Sequence, residues 1–335
     1  MTLESNALVD VSTECALVTL SAGPLSCVIS PRCGGAVVAF SRRCEDGGTH
    51  PLLRPTALHS EGKLPDSPTD FACYPLIPFS NRIAHGRFVW NGQEISMPHP
   101  LFGVPHAIHG HGWLASWRVV AVDSRSLRLT YVHQPAEQSS DGAQDWPFAY
   151  QAFETFSLEP DGLTIALELV NQGELAMPGG LGLHPFFPKP PGARVTARVA
   201  AVWRNDALHL PCEQEPLPSE WRFPSGVVMD QVCVDHCFSG WNGGATIDWP
   251  DQALRLMMTA DHPPFGHLVI YAPAGEEYVC VEPVSHMTDA VNRLSVAADG
   301  AVSDFLGTGL RVLAPGEALS GSVTFRVTTL PQEGM

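Results

Sequence analysis

Short runs of β-branched, aliphatic and aromatic residues recur along nearly the whole of this chain, each closed by Gly, Pro, Asn or Ser, and helical periodicity is almost absent. Chains punctuated this often do not propagate long helices, because Pro removes a backbone donor and Gly loses more entropy on ordering than any other residue. They form short strands joined by tight turns, a role that suits the thirty prolines and thirty glycines. A dozen or more such runs imply an all-β protein, a large antiparallel sandwich or barrel with very little helix.

The runs can be followed in order. Residues 16–20, 25–29 and 35–40 read as successive antiparallel strands. Residues 41–70 carry charges, prolines and glycines with little periodicity, a surface excursion long enough for a rim or lid. The clearest hairpin covers residues 87–97, where Asn91-Gly92 supplies the positive φ angles of a two-residue turn. Residues 117–122 and 127–132 flank another turn. Residues 149–158 and 163–170 are joined by Glu159-Pro160-Asp161-Gly162, with Pro160 presetting one dihedral and Gly162 taking the left-handed one. Further strands are expected over residues 194–202, 232–238, 245–249, 254–258, 268–271 and 278–281, and a strand-turn-strand unit over 310–327. Only residues 287–294 resemble a helix, and the Pro- and Glu-rich stretch 204–226 reads as a long crossing loop. With no interdomain linker and no repeat of fixed period, residues 1–335 are expected to form one domain.

Charge and cysteine usage narrow the setting. Nineteen Lys and Arg against thirty-five Asp and Glu give a formal net charge of −16, which repels phosphate backbones and anionic lipid and argues against nucleic-acid or membrane partners. Nine cysteines, odd in number and scattered from Cys15 to Cys280, imply reduced thiols in a cytoplasmic protein. The closest pair, Cys233 and Cys237, lacks the second pair that a structural zinc would need. Acidic residues come early, no basic region precedes an apolar run, and no run approaches a membrane span, so neither a leader nor an anchor is expected. A monomer or homodimer is the expected state.

Residues 73–117 crowd planar polar side chains among prolines, glycines and aromatics, a mixture suited to a sugar pocket. Asn81 and Arg82 can hydrogen-bond neighbouring hydroxyls, Arg through a rigid fork of donors. His109 adds a group that titrates near neutrality. The structural alternative is a loop between strands whose histidines bond to the backbone. Two residues downstream favour chemistry. His184 lies beside Pro185 and two phenylalanines, and Glu282 sits in an apolar run where a carboxylate is rarely buried without a partner. Asp235 repeats the theme of an acid inside an apolar strand. A carboxylate and one or two histidines, with no activated Ser or Cys and no cofactor fingerprint, suit chemistry that only moves protons. Opening and reclosing a cyclic hemiacetal is such a reaction, and it needs no metal or redox group.

Five motifs then give a resemblance: Pro-Phe-Ser-Asn-Arg-Ile with Gly86 and Phe88; His-Ala-Ile-His-Gly with Gly112, Trp113 and Trp117; Gly-Leu-His-Pro-Phe-Phe; Asp-His-Cys-Phe; and Val-Glu-Pro with Asp289, Ala290 and Asn292. In this order they resemble the aldose 1-epimerases, or galactose mutarotases. The resemblance implies a large antiparallel β-sandwich with the sugar in an open cleft. It makes Glu282 the base, His184 the acid to the ring oxygen, His109 a second histidine near that oxygen, and Asn81, Arg82 and Asp235 the hydroxyl-binding set. A proton-transfer pair of Glu282 and His184 is expected to give a pH profile that rises as the carboxylate ionises and falls as the histidine loses its proton, the second limb displaced from the free value of about 6.5 by the neighbours of the imidazole. Phe186 stands where many relatives have Tyr. Three rival readings stay open: a hexose-6-phosphate epimerase drawing on Arg42, Arg43 or Arg54; a cupin-like metal enzyme using His106, His109 and His111; and a carbohydrate-binding protein without catalysis.

Overall fold

A computed structural model describes residues 17–59, 63–97, 105–135, 145–296, 302–304 and 306–330. The N-terminal residues read for a leader, Cys15, and part of the 41–70 excursion lie outside the described residues. Two large sheets dominate. The first runs Arg118–Val122, Ser126–His133, Tyr150–Glu159, Gly162–Asn171, Ala318–Thr329, Leu254–Ala260, Gly244–Trp249, Arg194–Ala197 and Val227–Val228. The second runs Pro211–Pro216, Ala201–Asn205, Val234–Ser239, His267–Ala272, Tyr278–Val284, Gly182–Leu183 and Pro75–Leu76, with Phe186–Pro188 also on Tyr278–Val284. Every ladder in both is antiparallel. A smaller sheet of Val18–Ala22, Leu25–Ser30, Ala36–Arg43 and Thr49–Pro51 packs on the first.

Period-2 alternation explains the layering. In Tyr150–Glu159 the residues Tyr150, Ala152, Glu154, Phe156 and Leu158 all point inward and are buried. The sheets meet across the core, where the Phe187 and Phe325 rings lie 6.2 Å apart and the Trp249 indole N–H donates to the Pro188 carbonyl at 2.9 Å. The expected hairpins form. Asn91 and Gly92 have φ of 50° and 75° between Arg87–Trp90 and Gln93–Ser96.

Four details differ from the sequence expectation. Gly162 does not take the left-handed conformation: it pairs with Glu159, and a Cβ there would lie 2.7 Å from the Phe325 carbonyl oxygen. Close approach of the neighbouring strand therefore requires that glycine. The run 194–202 is two strands in different sheets, a switch that periodicity does not reveal because both halves are apolar. The stretch 204–226 holds the turn and second strand of the Ala201–Asn205/Pro211–Pro216 hairpin and two 3-10 turns. At 287–294 there is only a 3-10 turn, Ala290–Arg293, preceded by Asp289 at φ 58°, and among the described residues no α-helix forms.

Candidate active site

Register builds the floor of the site. Directly opposed residues of an antiparallel pair share a face, so Asp235 with Tyr271, and Val269 with Glu282, all project to one side of the second sheet. Tyr278 and Cys280 share that side with Glu282, while Val279 and Val281 face the core. The strand edge supplies the wall. His184 sits between Gly182–Leu183 and Phe186–Pro188, its N–H donating to the Tyr74 carbonyl at 3.0 Å. Its ring stacks on Phe186 at 4.6 Å and lies 4.7 Å from the Tyr74 ring, and Arg54 caps the column, 3.9 Å from the Phe186 centroid and 4.7 Å from that of Tyr278. The result is a cavity of about 590 Å³ lined by Glu282, His184, His109, Asn81, Arg82 and Asp235, together with Arg54, Tyr74, His209, Tyr271, Glu276 and Tyr278 among others.

The roof comes from two facing loops. Asn81 and His109 both take left-handed φ, 57° and 61°. The Asn81 N–H donates to His109 Nδ1 at 3.1 Å, and the His109 N–H donates to the Asn81 carbonyl at 3.0 Å. Because Nδ1 accepts, a neutral His109 carries its proton on Nε2. Asn81 Oδ1 accepts from the Arg82 backbone N–H at 2.9 Å and from its guanidinium at 3.3 Å, so the carbonyl end of this amide holds Arg82. Arg82 Nε is buried without a partner among the described residues. Asp289 braces the segment from behind: its N–H donates to the Arg82 carbonyl and its Oδ1 accepts from the Ala84 N–H and the Asn292 side chain.

Glu282 Oε1 and His184 Nε2 stand 3.4 Å apart, both almost fully buried. Burial pushes the Glu282 carboxyl well above the usual range, and the Asp235 charge pushes it the same way against a smaller pull from Arg82. Burial pushes the His184 imidazolium down to about 3, assisted by the Arg54 charge. His109 is held well below the ordinary histidine value, by burial first and then by His184 and Arg82. These shifts run opposite to the pH order expected of the pair: above about 3, where His184 takes up a second proton, and below the raised range of Glu282, burial favours one proton held on Glu282.

All six residues singled out by sequence thus line one cavity. The three histidines of the cupin-like reading do not converge. His106 Nδ1 accepts from the His85 N–H, His109 belongs to the cavity, and His111 is paired with Asp145. Among the described residues two clusters bring three potential metal-ligating atoms within 4.8 Å, His184 with Cys280 and Glu282, and His111 with His133 and Asp145. In the second cluster the Trp146 carbonyl already pairs with His133. Sequence reasoning missed Tyr74, His209, Tyr271, Glu276 and Tyr278. Tyr271 and Tyr278 were legible as alternate residues of apolar strands, whereas nothing in the Pro- and Glu-rich stretch around His209 marks it.

Comparison with known proteins bears on the family and the fold. The family described as Aldose 1-epimerase matches residues 16–326. The uncharacterized protein YphB of Escherichia coli K12 is 33% identical over 323 residues, 94% of this chain and 99% of the relative. A solved structure from Escherichia coli K12, named as a candidate aldose 1-epimerase, superposes with a TM-score of 0.79 at 32% identity, covering 95% of this chain and 100% of its own. A galactose mutarotase-like protein from Clostridium acetobutylicum shares the fold, with a TM-score of 0.78 at 21% identity over 95% and 96% of the two chains. From one end of its described sheets to the other, this chain belongs to the aldose 1-epimerase family.

Proposed function

We propose that the protein interconverts the α and β anomers of a free hexose such as glucose or galactose, without a cofactor, using Glu282 and His184 as the proton-transfer pair. The observation that carries this reading is the 3.4 Å approach of those two buried groups on the floor of a cavity rimmed by Arg82, Asn81 and Asp235. Hydrogen bonds from the bound sugar and the nearby Arg82 charge stabilise the Glu282 anion, and the shared proton passes to His184. Glu282 then takes the proton of the C1 hydroxyl. The C1–O bond becomes a carbonyl as the bond from C1 to the ring oxygen breaks, and His184 protonates that oxygen. Rotation about C1–C2 and reclosure with the roles exchanged gives the other anomer. His109 donates from Nε2 to the ring oxygen and steadies its developing charge. The aromatic column of Tyr74, His184 and Phe186 keeps water from the pair.

The 6-phosphate alternative wants free cations at the cavity mouth. Of Arg42, Arg43 and Arg54 only Arg54 lines the cavity, and one terminal nitrogen of its guanidinium already donates to the Thr69 and Phe71 carbonyls at 2.6 and 2.9 Å. With Glu282 holding a proton, Asp70, Asp235 and Glu276 still outnumber Arg54 and Arg82 in the lining, which disfavours a dianion. No helix among the described residues is long and apolar enough to cross a membrane. Every cysteine among the described residues is free, which supports a cytoplasmic setting.

Polarimetry tests the assignment. The wild type should accelerate mutarotation of at least one free aldose more than of its 6-phosphate. Activity confined to 6-phosphates would transfer the assignment to the alternative. Sugar binding with no acceleration would make the protein a binding module.

A further inference from the structure

His209 extends from the loop between Ala201–Asn205 and Pro211–Pro216 into the wall of the cavity. Its Nδ1 lies 2.8 Å from Asp235 Oδ2. A carboxylate only accepts, so Nδ1 carries a proton, and the distal Nε2 has no partner among the described residues. The loop is built to hold that pose. Asp206 Oδ1 accepts from the Leu208 and Leu210 N–H groups at 2.8 and 3.0 Å. Asn205 Nδ2 donates to the carbonyl of Asp235 itself at 2.8 Å, which locks the loop in register with the residue His209 touches. His209 adopts φ 62°, a conformation uncommon outside glycine, and the imidazole it presents is half exposed on the cavity side.

We propose that His209 is a specificity-determining residue whose Nε2 receives a sugar hydroxyl other than that at C1, beside the hydroxyl taken by Asp235. The inference rests on the reading of the cavity as an aldose site. It follows from the layout of the sheet: Asp235 and Glu282 lie on strands two spacings apart, about 10 Å between backbones. A pyranose with its C1 hydroxyl at Glu282 therefore turns another part of its ring toward Asp235 and His209. Asp235 offers a charged acceptor there and His209 adds a second polar atom from a different strand pair. Together they suit a neutral monosaccharide with two neighbouring free hydroxyls.

The test is a cycle of variant against substrate. His209→Ala and His209→Asn are compared with the wild type on the best free aldose and on its singly deoxygenated analogues. Asn tolerates the left-handed backbone, and its amide reaches the position of Nδ1, so it keeps the Asp235 contact while losing Nε2. Both variants should raise KM about tenfold for the parent sugar with kcat within about twofold, the loss of one hydrogen bond. For one deoxy sugar the penalty should vanish, which identifies the hydroxyl. A KM unchanged in His209→Ala, an equal penalty on every analogue, or a return to wild-type KM in His209→Asn would overturn the proposal, the last by showing that His209 acts only through Asp235. If the wild type neither binds nor turns over any free aldose, the aldose reading itself falls and His209 falls with it; that result appears in the control and is not mistaken for the others.

Discussion

Glu282 and His184 are each costly to bury as ions, and each makes the other's burial useful. Taken alone, the carboxyl is driven to hold its proton and the imidazole to shed one, so the free protein keeps a single proton on the pair. If the pair acts as proposed, the expected consequence for kcat/KM, which reports the free enzyme, is a defined pair of limbs. On the acid side activity falls as His184 accepts a second proton, in the region of about 3. On the alkaline side it falls as Glu282 loses the only proton the pair has, above the ordinary carboxylate range. A steady-state pH series reads both limbs, and an acid limb near the ordinary histidine value would contradict the burial argument. Glu282→Gln keeps the shape and removes the basicity, so turnover measured by polarimetry should fall by about 10²- to 10⁴-fold with binding largely retained. Combining it with His184→Gln should cost less than the product of the single losses, because the two groups fail as a unit. Arg82→Lys should chiefly raise KM, since an ammonium cannot supply both the bond to Asn81 and the vacant Nε donor.

Loops and strands carry constraints that single side chains do not show. Gly110 follows His109 at φ 67°, and a Cβ there would lie 2.3 Å from the Ile77 carbonyl oxygen and 2.4 Å from Pro78 Cδ. Gly110→Ala should therefore displace the His109 loop, lowering kcat at least tenfold on the scale of a lost catalytic contact, about 1.4 kcal/mol or more; wild-type kcat in a folded variant would show the loop has room. Within Tyr150–Glu159, Glu154 occupies an inward position, and burial raises its carboxyl well above the usual value. Its Oε2 has no partner among the described residues and would lie 2.3 Å from a Cβ on Gly35. A carboxyl raised in the folded state binds more protons folded than unfolded, so its contribution is present below the unfolded value and is lost as pH rises toward the folded one. Glu154→Gln should thus gain on the wild type with rising pH in that window, by up to about 1.4 kcal/mol per pH unit in denaturant titrations. An offset independent of pH would mean that Glu154 is ionised in the fold. Hairpins such as 87–96 were legible because Asn-Gly specifies its own turn. The switch of sheets near residue 198 was not, because strands buried in either sheet have the same apolar pattern.

At the scale of the whole molecule, the residues that line the candidate site were more legible in the sequence than their assembly. Glu282, His184 and Asp235 were visible as polar residues breaking apolar runs, and Arg82 and His109 as members of a Pro- and Gly-rich stretch. Their meeting depends on cross-strand register and on loops facing one another, which no local pattern encodes; the same holds for His209, brought to Asp235 by a hairpin. The strand Ala318–Thr329 has a further role. It lies in the interior of the first sheet, with Gly162–Asn171 on one side and Leu254–Ala260 on the other. A chain ended before residue 318 should fail to fold, losing two ladders at once, and circular dichroism on that truncation would show it. During synthesis the same placement sets the timing: two strand edges emerge from the ribosome long before the segment that joins them, and the sheet cannot close until that late segment is free of the exit tunnel. Until residues 318–329 are out, both edges stay open to mispairing with neighbouring chains on a polysome, and chaperones that mask unpaired edges would matter most over that interval.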